Sequence, residues 1–206
     1  TNAILSVGTS AVIPNRNNTV TVCNISDYFS AGNASTGLNI NSNNSDWTIT
    51  NNTFYQTATR IYTTASTHNG ILVNSGSGYI INNNVIGFAA PNATGTTNMI
   101  GLNSGSLGGT FPSAFTAGGA ANATRFVGIN CFFAAGGAVS SIQNNTIGGI
   151  AIYSSGVSTT LGTLCGIAVL NGNANIGTIT GNTIGSTSAA GSLYAANTLA
   201  GGVISG

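Results

Sequence analysis

Ile81-Asn82-Asn83-Asn84-Val85-Ile86-Gly87 is the stretch from which the rest of this 206-residue chain can be read. It returns as Ile49-Thr50-Asn51-Asn52-Thr53-Phe54, as Ile142-Gln143-Asn144-Asn145-Thr146-Ile147-Gly148 and as Ile179-Thr180-Gly181-Asn182-Thr183-Ile184-Gly185. Each copy has an apolar residue, two spacers, an Asn, one further residue and a second apolar residue. Val20-Thr21-Val22-Cys23-Asn24-Ile25 keeps the apolar ends and has Cys23 in place of the Asn. A recurring unit of this kind marks a repeat architecture.

A second element precedes each copy: Gly37-Leu38-Asn39-Ile40, Gly70-Ile71-Leu72-Val73, Gly128-Ile129-Asn130-Cys131 and Gly166-Ile167-Ala168-Val169, with Gly202-Val203-Ile204 beginning another. Alternation of apolar and variable residues over so short a span is a strand signal. No 3.6-residue period survives, and Gly, Asn, Ser and Thr fill every long window. The unit is therefore strand, short turn, strand and longer loop, repeating about every thirty residues. A propeller blade needs four strands in about 40 residues, and only two clear strands fit here. The expected fold is all-β: a right-handed, single-stranded parallel β-helix of about five or six coils in one domain spanning 1–206. One double-length interval separates Ile86 from Ile147. The spacing of Ile100-Gly101-Leu102-Asn103 favours a degenerate rung plus a loop within 87–126 over a single long excursion.

Stacked coils place equivalent residues about 4.8 Å apart. The expected inward ladders are Val20, Ile49, Ile81, Ile142 and Ile179; Ile25, Phe54, Ile86, Ile147 and Ile184; and Leu38, Ile71, Ile129, Ile167 and Val203. Asn52, Asn84, Asn145 and Asn182 form an asparagine ladder at a turn, where Asn tolerates left-handed backbone and stacked amides bond one another.

Only 2% of residues are charged, against roughly 25% in ordinary domains. Arg16, Asp27, Asp46, Arg60 and Arg125, with His68, are the whole ionic inventory. So weak a field argues against nucleic acid and anionic membranes as partners. No apolar run approaches the roughly 20 residues of a membrane span. Apolar residues make up 42%, too many for a disordered chain. Cys23, Cys131 and Cys165 lie in no metal-ligand spacing and read as small core residues, with one disulfide plus one thiol as the alternative.

The paired patterns Gly-Ile-x-Val and Ile-x-Asn-Asn-x-Ile resemble the parallel β-helix repeat shared by pectin-acting enzymes, phage tailspikes and bacterial surface proteins. The Asn-Asn-Thr-Ile-Gly wording, the near absence of charge and the recurrent Thr59-Arg60 and Thr124-Arg125 look most like the very long surface and filament proteins of Bacteroidota. That resemblance implies export by the type IX system, a cell-surface location and a role in adhesion or extracellular fibres.

Enzymes of this fold would need clustered carboxylates, and Asp27 and Asp46 fall at different corners of a coil. No catalytic residue, cofactor or metal site is expected. His68 reads as an exposed loop residue. Arg60 and Arg125 read as caps on loop carbonyls, with capture of a phosphate or carboxylate as the alternative. Thr19/Thr21, Thr48/Thr50 and Thr178/Thr180 suggest an ice-binding file, broken at Ile80/Asn82 and Ser141/Gln143. Trp47, Tyr55, Tyr62 and Tyr79 suggest an aromatic strip for sugar, but Trp47 and Tyr79 share a register and read as a stack in the core. Repeat-like text at both ends leads to the expectation that more chain or neighbouring copies cover them. The functional expectation is a non-enzymatic extracellular fibre or adhesin stalk. The alternatives are a β-helix that binds or cleaves polysaccharide, and an ice-binding module.

Overall fold

Short apolar alternations punctuated by Asn and Gly fold into strands alone. The computed structural model describes residues 1–155, 161–186, 192–197 and 204–205, and no helix occurs among them. Sheet one contains Asn2–Ser6, Ser35–Ile40, Thr67–Val73, Arg125–Phe132, Leu164–Asn171 and Ile204–Ser205. Sheet two contains Thr19–Thr21, Thr48–Thr50, Ile80–Asn82, Ser140–Gln143 and Ala174–Ile176. Sheet three contains Asn24–Ser26, Thr53–Tyr55, Val85–Gly87, Thr146–Gly148 and Thr183–Ile184. Sheet four contains Arg60–Tyr62, Thr97–Gly101, Ile150–Ser154 and Leu193–Asn197. From the second pass on, the chain visits the sheets in this order and returns to sheet one, laying each strand parallel to its predecessor, whereas the first pass goes from sheet three straight to sheet one. These stacked parallel sheets are compatible with a parallel β-helix.

Register follows the repeated residues. In sheet two Val20, Ile49, Ile81 and Ile142 are successive partners. In sheet three Ile25, Phe54, Ile86, Ile147 and Ile184 are partners. In sheet one Ile4, Leu38, Ile71, Ile129 and Ile167 are partners. Val203 lies outside the described residues. The central members of all three files are buried in one core, each worth about 1.5–3 kcal/mol.

The sheet-three ladder also explains the glycines before the sheet-one ladder. A Cβ on Gly37 would stand 2.5 Å from Phe54 Cδ1, on Gly70 2.6 Å from Ile86 Cγ2, on Gly128 2.9 Å from Ile147 Cδ1 and on Gly166 2.7 Å from Ile184 Cδ1. The two repeated elements are therefore one packing unit. The large residue of one seats on the bare backbone of the other.

Two expectations are corrected. Ile179 is not a ladder residue: it is 87% exposed, and the partner of Ile142 is Ile176. The fifth pass reaches Asn182 three residues late and bulges outward after Gly177, whose φ is +64°. Gln143 fills the gap. Its Nε2 donates to the Asn175 carbonyl at 2.8 Å, and its Oε1 accepts the Ile179 and Thr180 amides at 3.1 and 3.2 Å.

The interval between Ile86 and Ile147 holds no extra rung, because these two residues are direct partners. Ile100 belongs to the sheet-four strand of an ordinary pass. The added length is an antiparallel hairpin of Leu107–Thr110 and Ala114–Ala117. This flap lies over the outer face of sheet four. There Phe111 and Phe115 form a second apolar cluster with Ile100, Leu102, Tyr153 and Tyr194. Phe115 meets Tyr153 edge-on at 5.3 Å, and Phe111 meets Tyr194 at 5.8 Å.

Candidate functional site

The asparagine file runs through the turn between sheets two and three. Asn52 Nδ2 donates to Asn84 Oδ1 at 3.0 Å, Asn84 Nδ2 to Asn145 Oδ1 at 3.0 Å and Asn145 Nδ2 to Asn182 Oδ1 at 2.9 Å. Each Oδ1 also accepts the backbone N–H of the preceding pass: Cys23 to Asn52, Asn52 to Asn84, Asn84 to Asn145 and Asn145 to Asn182. Each Nδ2 donates as well to a ladder carbonyl one pass back, namely Val20, Ile49, Ile81 and Ile142. Left-handed backbone belongs to the residue before each of the first ladder members rather than to the ladder Asn. Val22, Asn51, Asn83 and Asn144 have φ of +55°, +57°, +58° and +52°. The carboxamides of Asn52, Asn84 and Asn145 are occupied by these structural bonds.

His68 is corrected from an exposed loop residue to a core residue, 1% exposed. It lies on the sheet-one strand with Ser35 and Phe126 as register partners. Its ring stacks between Tyr28, at 4.9 Å, and Phe126, at 5.8 Å. Nδ1 and the Tyr62 hydroxyl are 2.8 Å apart. Burial, reinforced by the positive charge of Arg60, holds the imidazole neutral and lowers its pKa from 6.5 to about 3. Burial likewise raises the Tyr28 and Tyr62 phenols. The position was legible from its column. Ser35, His68, Phe126 and Leu164 all sit two residues before the packing glycine, and two of the four are large apolar residues.

Each carboxylate has its own arginine. Asp27, after the first sheet-three strand, pairs with Arg60 of the next pass and accepts the Thr57 amide at 2.9 Å and the Thr57 hydroxyl. Partial burial opposes ionisation, but the Thr57 bonds and the Arg60 charge leave the carboxyl below its ordinary value. Arg60 also donates from Nε to Gln56 Oε1 at 2.8 Å and lies over the Phe29 ring. It is a strand residue in a built site rather than a carbonyl cap. Asp46, before the sheet-two strand, faces Arg16 at 3.8 Å. Among the described residues no three His, Cys, Asp or Glu side chains gather to hold a metal.

Trp47 and Tyr79 occupy one register position, and Trp47 Nε1 donates to the Asn15 carbonyl at 3.2 Å. The ring that stacks on Tyr79, at 5.5 Å, is Phe133. Both Tyr62 and Tyr79 are buried. The supposed threonine file reads Thr19, Thr48, Ile80, Ser141 and Asn175 in register, so Thr178 and Thr180 do not belong to it.

Two of the surface grooves among the described residues, each of about 500 Å³, bear on function. One lies under the flap between Ile61, Asn98 and Ile100 on sheet four and Leu107 and Phe111 on the hairpin, with a buried, unpartnered acceptor at Asn98 Oδ1. The other crosses the turns that enter sheet one and is bordered by Arg125. Here the carbonyl-capping expectation fails: among the described residues no side-chain hydrogen bond or ion pair holds the Arg125 guanidinium, and its buried Nε has no partner. Comparison with known proteins returned no matching family model, curated protein or solved structure.

Proposed function

We propose that this chain is a non-enzymatic rod: a right-handed, single-stranded parallel β-helix of five passes that serves as a stiff fibre segment or adhesin stalk on a cell surface. The observation that carries this reading is the unbroken file of amide bonds from Cys23 through Asn182, which ties every pass to the next. A file of this kind resists bending and shear along the stacking axis and offers no reactive group. Right-handedness follows from the rule for parallel strands joined by crossovers. The nearly uncharged surface suits lateral packing, because little repulsion opposes it. Extracellular location and kinship with type IX-secreted surface proteins of Bacteroidota rest on the sequence resemblance. The carboxylates support the non-enzymatic reading, because Asp27 and Asp46 are each committed to a separate arginine.

Electron microscopy of the native material tests the proposal. Extended rods or filaments are the expected result, and isolated globular particles overturn it. The flap groove favours one second reading, a neutral polysaccharide ligand, since Asn98, whose Oδ1 has no partner, lines it beside the apolar walls of Ile61, Ile100, Leu107 and Phe111. Retention on immobilised neutral glycans, abolished by Asn98→Leu, distinguishes that reading from a bare stalk.

A further inference from the structure

We propose that Arg125 and the groove beside it form a binding site for a single oxyanion group, a carboxylate or a sulfate, carried by an otherwise neutral ligand. Three observations converge on it. The chain carries three Arg and two Asp, for a formal net charge of +1. Arg16 and Arg60 face Asp46 and Asp27, so the uncompensated charge belongs to Arg125. Second, Arg125 Nε is buried with no acceptor, and an unmet charged donor is among the costliest groups to leave inside a protein. Its sequence twin shows the contrast: Arg60, in the same Thr-Arg dipeptide, gives its Nε to Gln56 and its terminal nitrogen to Asp27. Third, Arg125 lines an open groove.

The groove is built by stacking. Gly32, Asn33 and Ala34 line it from one pass, Ser66 and Thr67 from the next, and Arg125 from the third. Arg125 is the register partner of Thr67, and its amide donates to the Ser66 carbonyl at 2.9 Å, which fixes the backbone at the groove edge. The small residues leave room. The Asn33 amide and the Ser66 and Thr67 hydroxyls add neutral donors, and no carboxylate lines the groove to repel an anion. A planar guanidinium fork matches two oxygens of a carboxylate or sulfate. With one cation and no other charge in the wall, the site takes one anionic group rather than a polyanion. This inference stands apart from the rod reading, because a globular particle with the same turns would carry the same site.

The test uses the three arginine side chains as reporters. In a ¹⁵N–¹H correlation spectrum each contributes one Nε–Hε resonance, and loss of a peak in Arg125→Lys assigns the one of interest. Sodium acetate, sodium sulfate and sodium phosphate are titrated against sodium chloride at constant ionic strength. The expected result is a saturating shift of the Arg125 resonance and of the Ser66 and Thr67 amides, with Arg16, the exposed control, unmoved. Affinity falls at least tenfold in Arg125→Gln and only partly in Arg125→Lys. Tighter acetate binding identifies a carboxylate-bearing ligand, and tighter sulfate or phosphate binding a tetrahedral one. A linear, unsaturated shift, or one no larger than that of Arg16, overturns the proposal. Equal affinity in folded Arg125→Gln also overturns it.

Discussion

Replacing Asn84 by Ala should damage the pass before the mutation more than the pass that carries it. The Asn84 carboxamide accepts the Asn52 N–H at 3.1 Å and the Asn52 Nδ2 at 3.0 Å, and donates to the Ile49 carbonyl at 2.9 Å. Asn52 Nδ2 keeps a second acceptor, the Val20 carbonyl, so its loss is small. The Asn52 N–H has no substitute and is buried. A buried donor left unmet costs about 1–3 kcal/mol, and the space vacated by the carboxamide adds a cavity term. The total is about 3 kcal/mol. With a urea m value of about 2 kcal/mol/M, the midpoint falls by about 1.5 M. Asn84→Leu fills the space but supplies no acceptor, so it recovers only the cavity share. Asn83→Gly keeps the left-handed turn and loses only the exposed bond that Asn83 Oδ1 accepts from Asn144 Nδ2 at 2.7 Å, so the midpoint should move by no more than about 0.25 M. Amide hydrogen exchange adds a local readout. The Asn52 N–H speeds up, while the Asn84 N–H, held by Asn145 Oδ1 at 3.0 Å, stays protected. Equal losses for Asn84→Ala and Asn83→Gly, or faster exchange at Asn84 than at Asn52, would refute the ladder as the source of stability.

Acid should destabilise the protein through His68. The folded imidazole titrates near 3 against 6.5 in the unfolded chain, so stability is complete above pH 6.5 and falls between the two values, by about 1.4 kcal/mol per pH unit. Asp27 adds to the loss only as pH drops through its lower range, so urea midpoints between pH 6.5 and 4.5 should decline in the wild type and stay level in His68→Phe. Val22 is a β-branched residue at φ +55° and 78% exposed; Val22→Asn should raise stability by about 1 kcal/mol, measured by urea unfolding. Cys131 and Cys165 are buried with raised thiol pKa values, and Cys23 is partly exposed. A thiol-specific reagent should therefore modify at most one cysteine in the native protein and three after unfolding.

Periodic features of this chain are readable and singular ones are not. Ile49, Ile81 and Ile142 announce themselves because packing on an identical neighbour demands the same residue at the same offset. The same wording misleads at Ile179, where the motif recurs three residues late. What decides the register there is Gln143, whose amide bridges the bulge. His68 hides because a lone histidine is read by its chemistry, whereas its column partners Phe126 and Leu164 place it inside. Thr59-Arg60 and Thr124-Arg125 are the same dipeptide, yet one opens a sheet-four strand and the other a sheet-one strand. Only the pairing shows that the first has a carboxylate and the second has none. The flap carries no period at all. Its hold on sheet four comes from Phe111 and Phe115 meeting Tyr194 and Tyr153 across a long sequence separation.

The asparagine file has a direction, and that bears on how the passes are joined. Every ladder oxygen reaches back to the N–H of the preceding pass, and every ladder nitrogen meets that pass's carbonyl while the nitrogens of Asn52, Asn84 and Asn145 also donate forward to the next Oδ1. A pass is therefore completed by the one that follows it in the chain. Cys23, at the first position described, donates its N–H to Asn52 Oδ1 but has no carboxamide to extend the file in the other direction. An amide stacked before Cys23 would find no Oδ1 acceptor there, so the side-chain bonds of the file lapse at that position while the Cys23 N–H still donates forward.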